Sequence, residues 1–455
     1  MSNVWPPRRV HIVGIGGAGM SGMARYLAER GCVVTGSDAA TSATLADLSA
    51  AMDVYVGSDP AVATKADVLT MSPAVSLDDP EIVAALGAGI PVLSRAKFLA
   101  RLTHDHEVVA FAGTHGKTTT TSMYLMIAQA AKENPSWLLG APVIGFGENG
   151  GYGSHQLVLE LDESYGTFAD VAPSTLGLLN VEADHLDHYG DLAGVQRAFR
   201  ELVSRTKRHV VVWYGSTAHE LVKTVNSIVT VGDDPRATWR VEGANLELTG
   251  STFSLTSNGA TLSIALQVPG IHNVVNSAIA AVTALVNDVP ADAVIEGLSQ
   301  FHGAPRRYEI HGTIKGGNAL VIEDYAHLPS ELRTAITTAR GDQEGRRVIA
   351  VFQPHRVSRT TNLTDEFGTA FEGVTELIVT DIFASGEPNP EGVTGQIIVD
   401  AVRERSSTPV RYIADRREAA TYIQTRQDEA DVVLVLGAGD IGELAVWLTK
   451  GSDEY

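Results

Sequence analysis

The sequence predicts an α/β protein built on mostly parallel sheets and divided into about three domains. Short β-branched runs alternate with helical stretches: VHIVGIG precedes AGMSGMARYLAERG, and VVAFAGTHG precedes KTTTTSMYLMIAQAAKE. The rhythm returns in RRVIAVFQP, TELIVTDIF and DVVLVLGAG, which is the pattern of βαβ units. A length of 455 residues, at roughly 150 per domain, gives the domain number. An apolar fraction of 44% is enough to bury several cores.

One stretch departs from the βα rhythm. Residues 236–268 alternate polar and apolar around an Asn258-Gly259 turn, which predicts a small antiparallel meander inside the middle domain. Breaker-rich segments at Thr103–His106 and Arg306–Gly317 place the boundaries, giving domains of residues 1–103, 104–311 and 312–455.

Composition excludes several classes. Cys32 is the only cysteine, so no disulfide framework exists within the chain. The apolar content excludes general disorder. No run reaches the ~18 apolar residues of a membrane span, and the N-terminal basic residues precede only a short, glycine-broken apolar run without a cleavage site. A soluble, cytoplasmic protein without membrane insertion is expected. The chain carries 34 basic and 54 acidic side chains, a net charge of −20, which argues against a nucleic-acid partner. Anionic small molecules then require local clusters of cations.

Ala112-Gly113-Thr114-His115-Gly116-Lys117-Thr118-Thr119 follows an apolar strand and opens a helix. Glycines let backbone amides close around phosphate oxygens, and the helix N-terminus adds its dipole. Lys117 suits β- and γ-phosphates and the Thr118 hydroxyl suits Mg²⁺, so an ATP-type nucleotide is expected. The general phosphate-loop pattern has glycine at the position of Phe111, so the match is partial.

Gly14-Ile15-Gly16-Gly17-Ala18-Gly19 follows the first strand, and Asp38 closes the next. This is a diphosphate fingerprint that fits NAD or a UDP-sugar alike. Gly437-Ala438-Gly439-Asp440-Ile441-Gly442 has the same pattern, so turn geometry alone also produces it. Glu160, Asp162 and Glu163 close an apolar strand, and Glu182, Asp184, His185, Asp187 and His188 follow another. Carboxylates there suit Mg²⁺ beside a phosphate loop, whereas no Cys/His pair has zinc spacing. Later, Glu323-Asp324-Tyr325-Ala326-His327 and Gln353-Pro354-His355-Arg356-Val357-Ser358-Arg359 follow strands and, with Arg306 and Arg307, supply local cations for a carboxylate or phosphate.

In this order the motifs resemble the Mur ligases, the ATP-dependent amino-acid ligases of peptidoglycan synthesis. The resemblance rests on GIGGAGMSG (14–22), GTHGKTTT (113–120), Glu160, Asn180 with Asp184-His185, GIHNVVN (270–276), FHGAPRR (301–307), DYAH (324–327) and QPHRVSR (353–359). It implies a Rossmann-like UDP-binding domain, a central P-loop ATPase domain and a C-terminal Rossmann-like α/β domain. GIGGAGMSG and QPHRVSR point to the alanine-adding branch, whose substrates are UDP-N-acetylmuramate, L-alanine and ATP, with Mg²⁺.

The resemblance also implies roles. Gly113, Thr114, His115, Gly116, Lys117, Thr118 and Thr119 hold ATP, with Asn276 and Arg307 lining it. Thr118 and Glu160 serve one Mg²⁺ and His185 a second. Gly14, Gly16, Gly17, Gly19, Met20 and Asp38 take the UDP-sugar together with His355 and Arg359. Lys117, His185, His327 and Arg356 are the expected catalytic residues, in a monomer or homodimer. Related ligases carry a carbamylated lysine after the Asp-His pair; Arg200 stands near that place, and the alanine-adding branch also lacks the lysine. That branch commonly has two histidines after its DYG, where this chain has His327-Leu328. A tripeptide-recycling ligase shares most of these motifs. An NAD-dependent dehydrogenase would use the first glycine turn and leave GTHGKTTT idle.

Overall fold

The computed structural model describes residues 5, 7–225, 227–341, 345–426 and 430–450, with Asp187 described by its backbone alone. The chain forms two compact units, one of Met1–Ala244, Thr252–Gln267 and Asn273–His302, the other of Asn245–Ser251, Val268–His272 and Gly303–Tyr455.

The first unit opens with β1 (Arg9–Val13), β2 (Val33–Asp38), β3 (Asp53–Val56), β4 (Val68–Met71) and β5 (Val92–Ser94). They form a wholly parallel sheet in the order β3-β2-β1-β4-β5. The order reverses beside β1, and the Gly14–Gly19 turn leaves β1 there, where ligands of open α/β sheets bind.

The second sheet contains β6 (Glu107–Ala112), β7 (Ser136–Leu138), β8 (Gly150–Gly151), β9 (Gln156–Leu161) and β10 (Thr175–Leu178). It continues with β11 (His209–Trp213), β12 (Ile228–Gly232), β13 (Trp239–Leu246), β14 (Ser251–Ser257) and β15 (Ala260–Leu266). Its order is β15-β14-β13-β12-β11-β10-β6-β9-β7-β8. The expected meander is β13–β15, and it extends the parallel sheet through the parallel β12–β13 pair. Asn258 and Gly259 turn the β14–β15 hairpin with φ of 48° and 82°, the left-handed pair such a tight turn requires. Phe111, where the phosphate-loop pattern has glycine, is a strand residue of β6 paired with Glu160 on one side and Gly177 on the other. A Cβ on Gly177 would lie 2.5 Å from its ring. Phe111 is fully buried, worth roughly 1.5–3 kcal/mol of apolar burial, and the loop proper starts at Gly113.

The two sheets of this unit meet through the helix Ala18–Glu29 and the β7–β8 strands. A Cβ on Gly150 would lie 2.1 Å from Gly22 O, so glycine allows this backbone contact. Asn149 donates to Ala18 O (2.7 Å) and Ser21 Oγ (3.0 Å) and accepts from Arg25 (2.6 Å).

The second unit holds β16 (Glu309–Thr313), β17 (Leu320–Asp324), β18 (Val348–Phe352), β19 (Glu376–Val379), β20 (Val410–Tyr412) and β21 (Val432–Leu436) in the order β16-β17-β21-β18-β19-β20. Only β16 is antiparallel among these pairs. Every residue of VIAVF (β18) and VVLVL (β21) is buried, as expected of parallel strands covered by helices on both faces. Among the described residues no helix is long and apolar enough to cross a membrane.

Candidate active site

The carboxyl ends of three adjacent parallel strands build one face. β6 delivers the phosphate loop, and its neighbours β9 and β10 deliver Glu160 and Asn180. Gly113 has φ 147°, and a Cβ there would lie 3.0 Å from the Asn180 backbone. Asn180 also clamps the loop with its side chain, accepting from His115 N (2.7 Å) and donating to His115 O (3.0 Å). Gly116 has φ 80°, and a Cβ there would lie 2.6 Å from Asn276 Oδ1, which comes from the helix Ile271–Leu285. Thr114 Oγ1 accepts from Glu182 N, and the His115 ring reaches the Glu182 carboxylate at 3.2 Å. Thr119 is buried in the helix Lys117–Ala130.

Lys117 Nζ donates to Gly113 O (2.8 Å), Thr114 O (3.2 Å) and Glu163 Oε2 (2.8 Å), with Asp162 at 3.9 Å. Burial favours its neutral form, but the Glu163 and Asp162 carboxylates outweigh it and hold the ammonium above its ordinary range. Burial raises Glu163 above the usual carboxylate range despite Lys117. Burial also works to raise Asp162, yet Lys117, the Ser164 hydroxyl and Arg95 bring it below that range. Thr118 Oγ1 donates to Glu160 Oε1 (2.9 Å), and Glu160 Oε2 accepts from Gly140 N (2.8 Å).

The same strand ends carry a donor set for a divalent cation. Asp162, Glu163 and His185 present ligand atoms all within 4.8 Å of one another. Glu163 Oε1 is buried with no hydrogen-bond partner among the described residues. Carboxylate oxygens beside one imidazole fit Mg²⁺ or Mn²⁺. His185 of this cluster and Tyr165, two residues after Glu163, both hold φ 51°, a costly conformation for side chains of their size. The expected metal residues therefore fall into two groups, Thr118 with Glu160 and His185 with Asp162 and Glu163.

At the first glycine turn, Gly14 N and Ile15 N donate to Ser37 O, and Gly16 N donates to Asp38 Oδ2 (2.9 Å). Asp38 thus braces the turn with one oxygen. Gly17 caps the helix without a side-chain bond. Met20 is 2% exposed and packs its side chain into the core, leaving only its backbone at the turn.

In the second unit the carboxyl ends of β17, β21, β18 and β19 gather the remaining candidates. The His327 and His355 rings lie 6.0 Å apart, and His355 stacks on Phe383 at 5.6 Å and 9°. Arg359 Nη1 is 3.2 Å from His355 Nδ1. Burial, reinforced by the neighbouring arginines, lowers His327 to about 4 and His355 to about 3. Arg356 has φ 68°, donates its amide to Phe383 O (2.8 Å) and lies 4.0 Å from Glu387. Arg306 and Arg307 lie over the Tyr325 ring at 4.9 and 4.7 Å. Arg306 also donates to Glu323 (2.6 Å), Gly437 O (2.9 Å) and Gly439 O (2.8 Å). The second glycine pattern is therefore a turn whose carbonyls hold an arginine.

Three family profiles match the chain in sequence: the Mur ligase family catalytic domain over residues 9–107, the Mur ligase middle domain over 111–284, and the Mur ligase glutamate ligase domain over 306–439. The chain belongs to the Mur ligase family. The UDP-N-acetylmuramate–L-alanine ligase of Trichlorobacter lovleyi is 36% identical over 97% of this chain and 98% of its own length. That of Kineococcus radiotolerans is 40% identical over 95% and 94%. The crystal structure of UDP-N-acetylmuramate-alanine ligase MurC from Thermotoga maritima superposes with a TM-score of 0.81 at 29% identity, covering 97% of this chain and 98% of that one.

As a Mur ligase, the chain has the expected three-part α/β architecture. Its middle part makes contacts that sequence spacing does not show. Asp162 and Glu163 were visible as strand-end acids, but nothing in their spacing showed that Glu163 would pair with Lys117. Tyr189 donates to Glu163 O (2.6 Å), a contact with no sequence signal. Arg200 is exposed and Leu328 is buried.

Proposed function

We propose that this Mur ligase joins L-alanine to the carboxylate of UDP-N-acetylmuramate, with ATP converted to ADP and phosphate, in cytoplasmic peptidoglycan precursor synthesis. The observation that carries the ATP-dependent chemistry is the phosphate loop with Lys117 fixed over it by Gly113 O, Thr114 O and Glu163. The full-length similarity to UDP-N-acetylmuramate–L-alanine ligases supports the choice of substrates.

Residues 1–103 are assigned to the UDP-sugar, 104–311 to ATP and 312–455 to the ligase domain that completes catalysis. The lactyl carboxylate attacks the γ-phosphorus of ATP, giving an acyl phosphate and ADP. The alanine amine then attacks the acyl carbon, phosphate leaves, and the amide forms. Both reactants of the first step are anions, so the barrier is lowered by charge neutralisation more than by proton transfer. Lys117 supplies a fixed cation at the β- and γ-phosphates, with the Gly113–Thr119 amides and Asn276 around the nucleotide. Thr118 with Glu160, and Asp162 and Glu163 with His185, would hold Mg²⁺, which would supply charge neutralisation for phosphoryl transfer. His327, His355, Arg356 and Arg359 are assigned to the substrate carboxylates; the histidines are neutral near pH 7 and act there as hydrogen-bonding groups.

ADP release with UDP-N-acetylmuramate and each candidate amine tests this reading. Alanine-dependent release is expected. Release that depends on a tripeptide, or nicotinamide reduction without ADP, would replace it.

A further inference from the structure

The ammonium of Lys117 is already spent. It offers three N–H donors, and they go to Gly113 O (2.8 Å), Thr114 O (3.2 Å) and Glu163 Oε2 (2.8 Å). The first two acceptors belong to the phosphate loop and keep the ammonium over it. The third comes from beyond β9, and it alone of the three carries charge. Glu163 therefore stands where a phosphate oxygen has to compete with it.

Glu163 cannot release the ammonium without a replacement. Its side chain is 1% exposed, and its Oε1 is buried with no hydrogen-bond partner among the described residues. A buried carboxylate stripped of its cation is strongly unfavourable, the more so with the Asp162 carboxylate in the same cluster. The replacement has a place, because Asp162, Glu163 and His185 bring ligand atoms within 4.8 Å of one another. The backbone need not move for such an exchange. Tyr189 Oη and Gly166 N both donate to Glu163 O, at 2.6 and 3.1 Å, so only the side chain changes partner.

We propose that Glu163 is a positioning residue that exchanges cations, an inference that rests on the phosphate-loop reading above. In the nucleotide-free chain it takes the third N–H of Lys117. With a divalent cation held by Asp162, Glu163 and His185, it yields that N–H to the nucleotide phosphates. Lys117 keeps its two loop carbonyls throughout and changes one partner of three. The exchange couples the two ligands in both directions: phosphate without the cation competes with Glu163, and the cation without phosphate competes with Lys117.

Two titrations of the full chain test this. In the first, ADP is titrated calorimetrically into wild type and Glu163→Gln, once with chelator and once with Mg²⁺. The metal-free affinity is expected to rise about 10- to 100-fold in the variant, the range of one hydrogen bond to a charged group. With Mg²⁺ the variant binds ADP no more tightly than wild type, so the gain conferred by Mg²⁺ shrinks by at least that factor. A Glu163 that served only as a metal ligand would leave the metal-free affinity unchanged and weaken ADP with Mg²⁺, which overturns the exchange. In the second, Mn²⁺ is titrated without nucleotide and the free ion is read by its paramagnetic resonance. Lys117→Ala, relieved of the competing ammonium, is expected to bind Mn²⁺ about tenfold more tightly. Equal or weaker binding overturns the proposal. Should Glu163→Gln fail to fold, as read by its urea midpoint, Glu163→Asp shortens the acid's reach and is expected to show part of the metal-free gain; no gain there overturns it too. A wild type that binds no ADP with or without Mg²⁺ refutes the phosphate-loop reading itself.

Discussion

Lys117→Ala removes the side chain that joins the phosphate loop to Asp162 and Glu163, the acids that follow β9. Three hydrogen bonds of 2.8–3.2 Å disappear, and Glu163, whose side chain is 1% exposed, loses its cation while Asp162 stays beside it. Breaking a buried ion pair from one side costs about 3–5 kcal/mol, less here to the extent that Glu163 takes up a proton, toward which burial already pushes it. The chemical step loses a preorganised charge at the developing phosphoryl negative charge, about 10²- to 10⁴-fold in turnover, or roughly 3–5 kcal/mol of barrier. The two losses have different remedies. Adding Glu163→Gln removes the unpaired buried carboxylate and should return most of the stability, read as the urea midpoint. It cannot return ligation, read as alanine-dependent ADP release at saturating substrates. A Lys117→Ala enzyme that ligates within about tenfold of wild type would refute the charge-neutralisation mechanism, as would a double variant whose turnover recovers with its stability.

Two further outcomes follow from buried groups. Glu81 is fully buried and accepts from Tyr55 Oη (2.5 Å), Asp59 N (2.8 Å) and Ser37, with His11 at 3.4 Å. Burial opposes its ionisation, but the bonds from His11, Ser37, Tyr55 and Asp59 prevail and lower it to about 2. Its stabilisation is therefore complete above the unfolded value of 4.5 and is lost as pH falls toward 2; Glu81→Ala should cost about 3–5 kcal/mol at pH 7, measured by urea unfolding, and lose that acid dependence. The His327–His355 pair behaves oppositely. Both are lowered from 6.5, so the unfolded chain binds more protons between pH 4 and 6.5 and stability rises with pH across that window. His355→Gln should flatten part of this slope, and the wild-type rate profile should show no histidine step near 6.5 from either ring.

What was legible in the sequence was what the chain makes locally. A strand, a glycine-bearing loop and a helix follow one another within residues 107–130, so Gly113–Thr119 could be recognised without knowing the rest of the fold. The Asn258-Gly259 hairpin was legible for the same reason. Its edgewise union with the parallel sheet was not, because strand order is a tertiary outcome. Met20 shows the limit of a motif: the pattern names the position, but helix geometry turns its side chain inward. Arg95 shows the converse. It opens an ordinary amphipathic helix 76 positions after Gly19, and only the packing of one sheet makes them neighbours. The lowered histidines were equally hidden, since burial, the largest cause, has no local signature.

The two G-x-G-x-x-G turns show why such a pattern has no fixed meaning. Both follow a buried parallel strand, and both use glycine to let backbone groups approach a partner. At Gly14–Gly19 the backbone amides meet their partner: Gly14 N and Ile15 N donate to Ser37 O, and Gly16 N donates to Asp38 Oδ2. At Gly437–Gly439 the carbonyls face the partner, and Arg306 occupies them at 2.9 and 2.8 Å. Its charge is balanced by Glu323 rather than by a ligand. Gly439 is confined further, since a Cβ there would lie 2.4 Å from Gln353 Oε1 and 2.7 Å from Phe383. The same six positions thus present amides to Ser37 and Asp38 in one turn and carbonyls to Arg306 in the other, so the pattern fixes the close approach and not the partner. Local placement of cations also explains how a chain of net charge −20 handles anionic substrates. The cations are local, Lys117 in the phosphate loop and Arg306 and Arg307 over Tyr325, and the surplus of acids elsewhere acts on them weakly because charges beyond about 8–10 Å are screened.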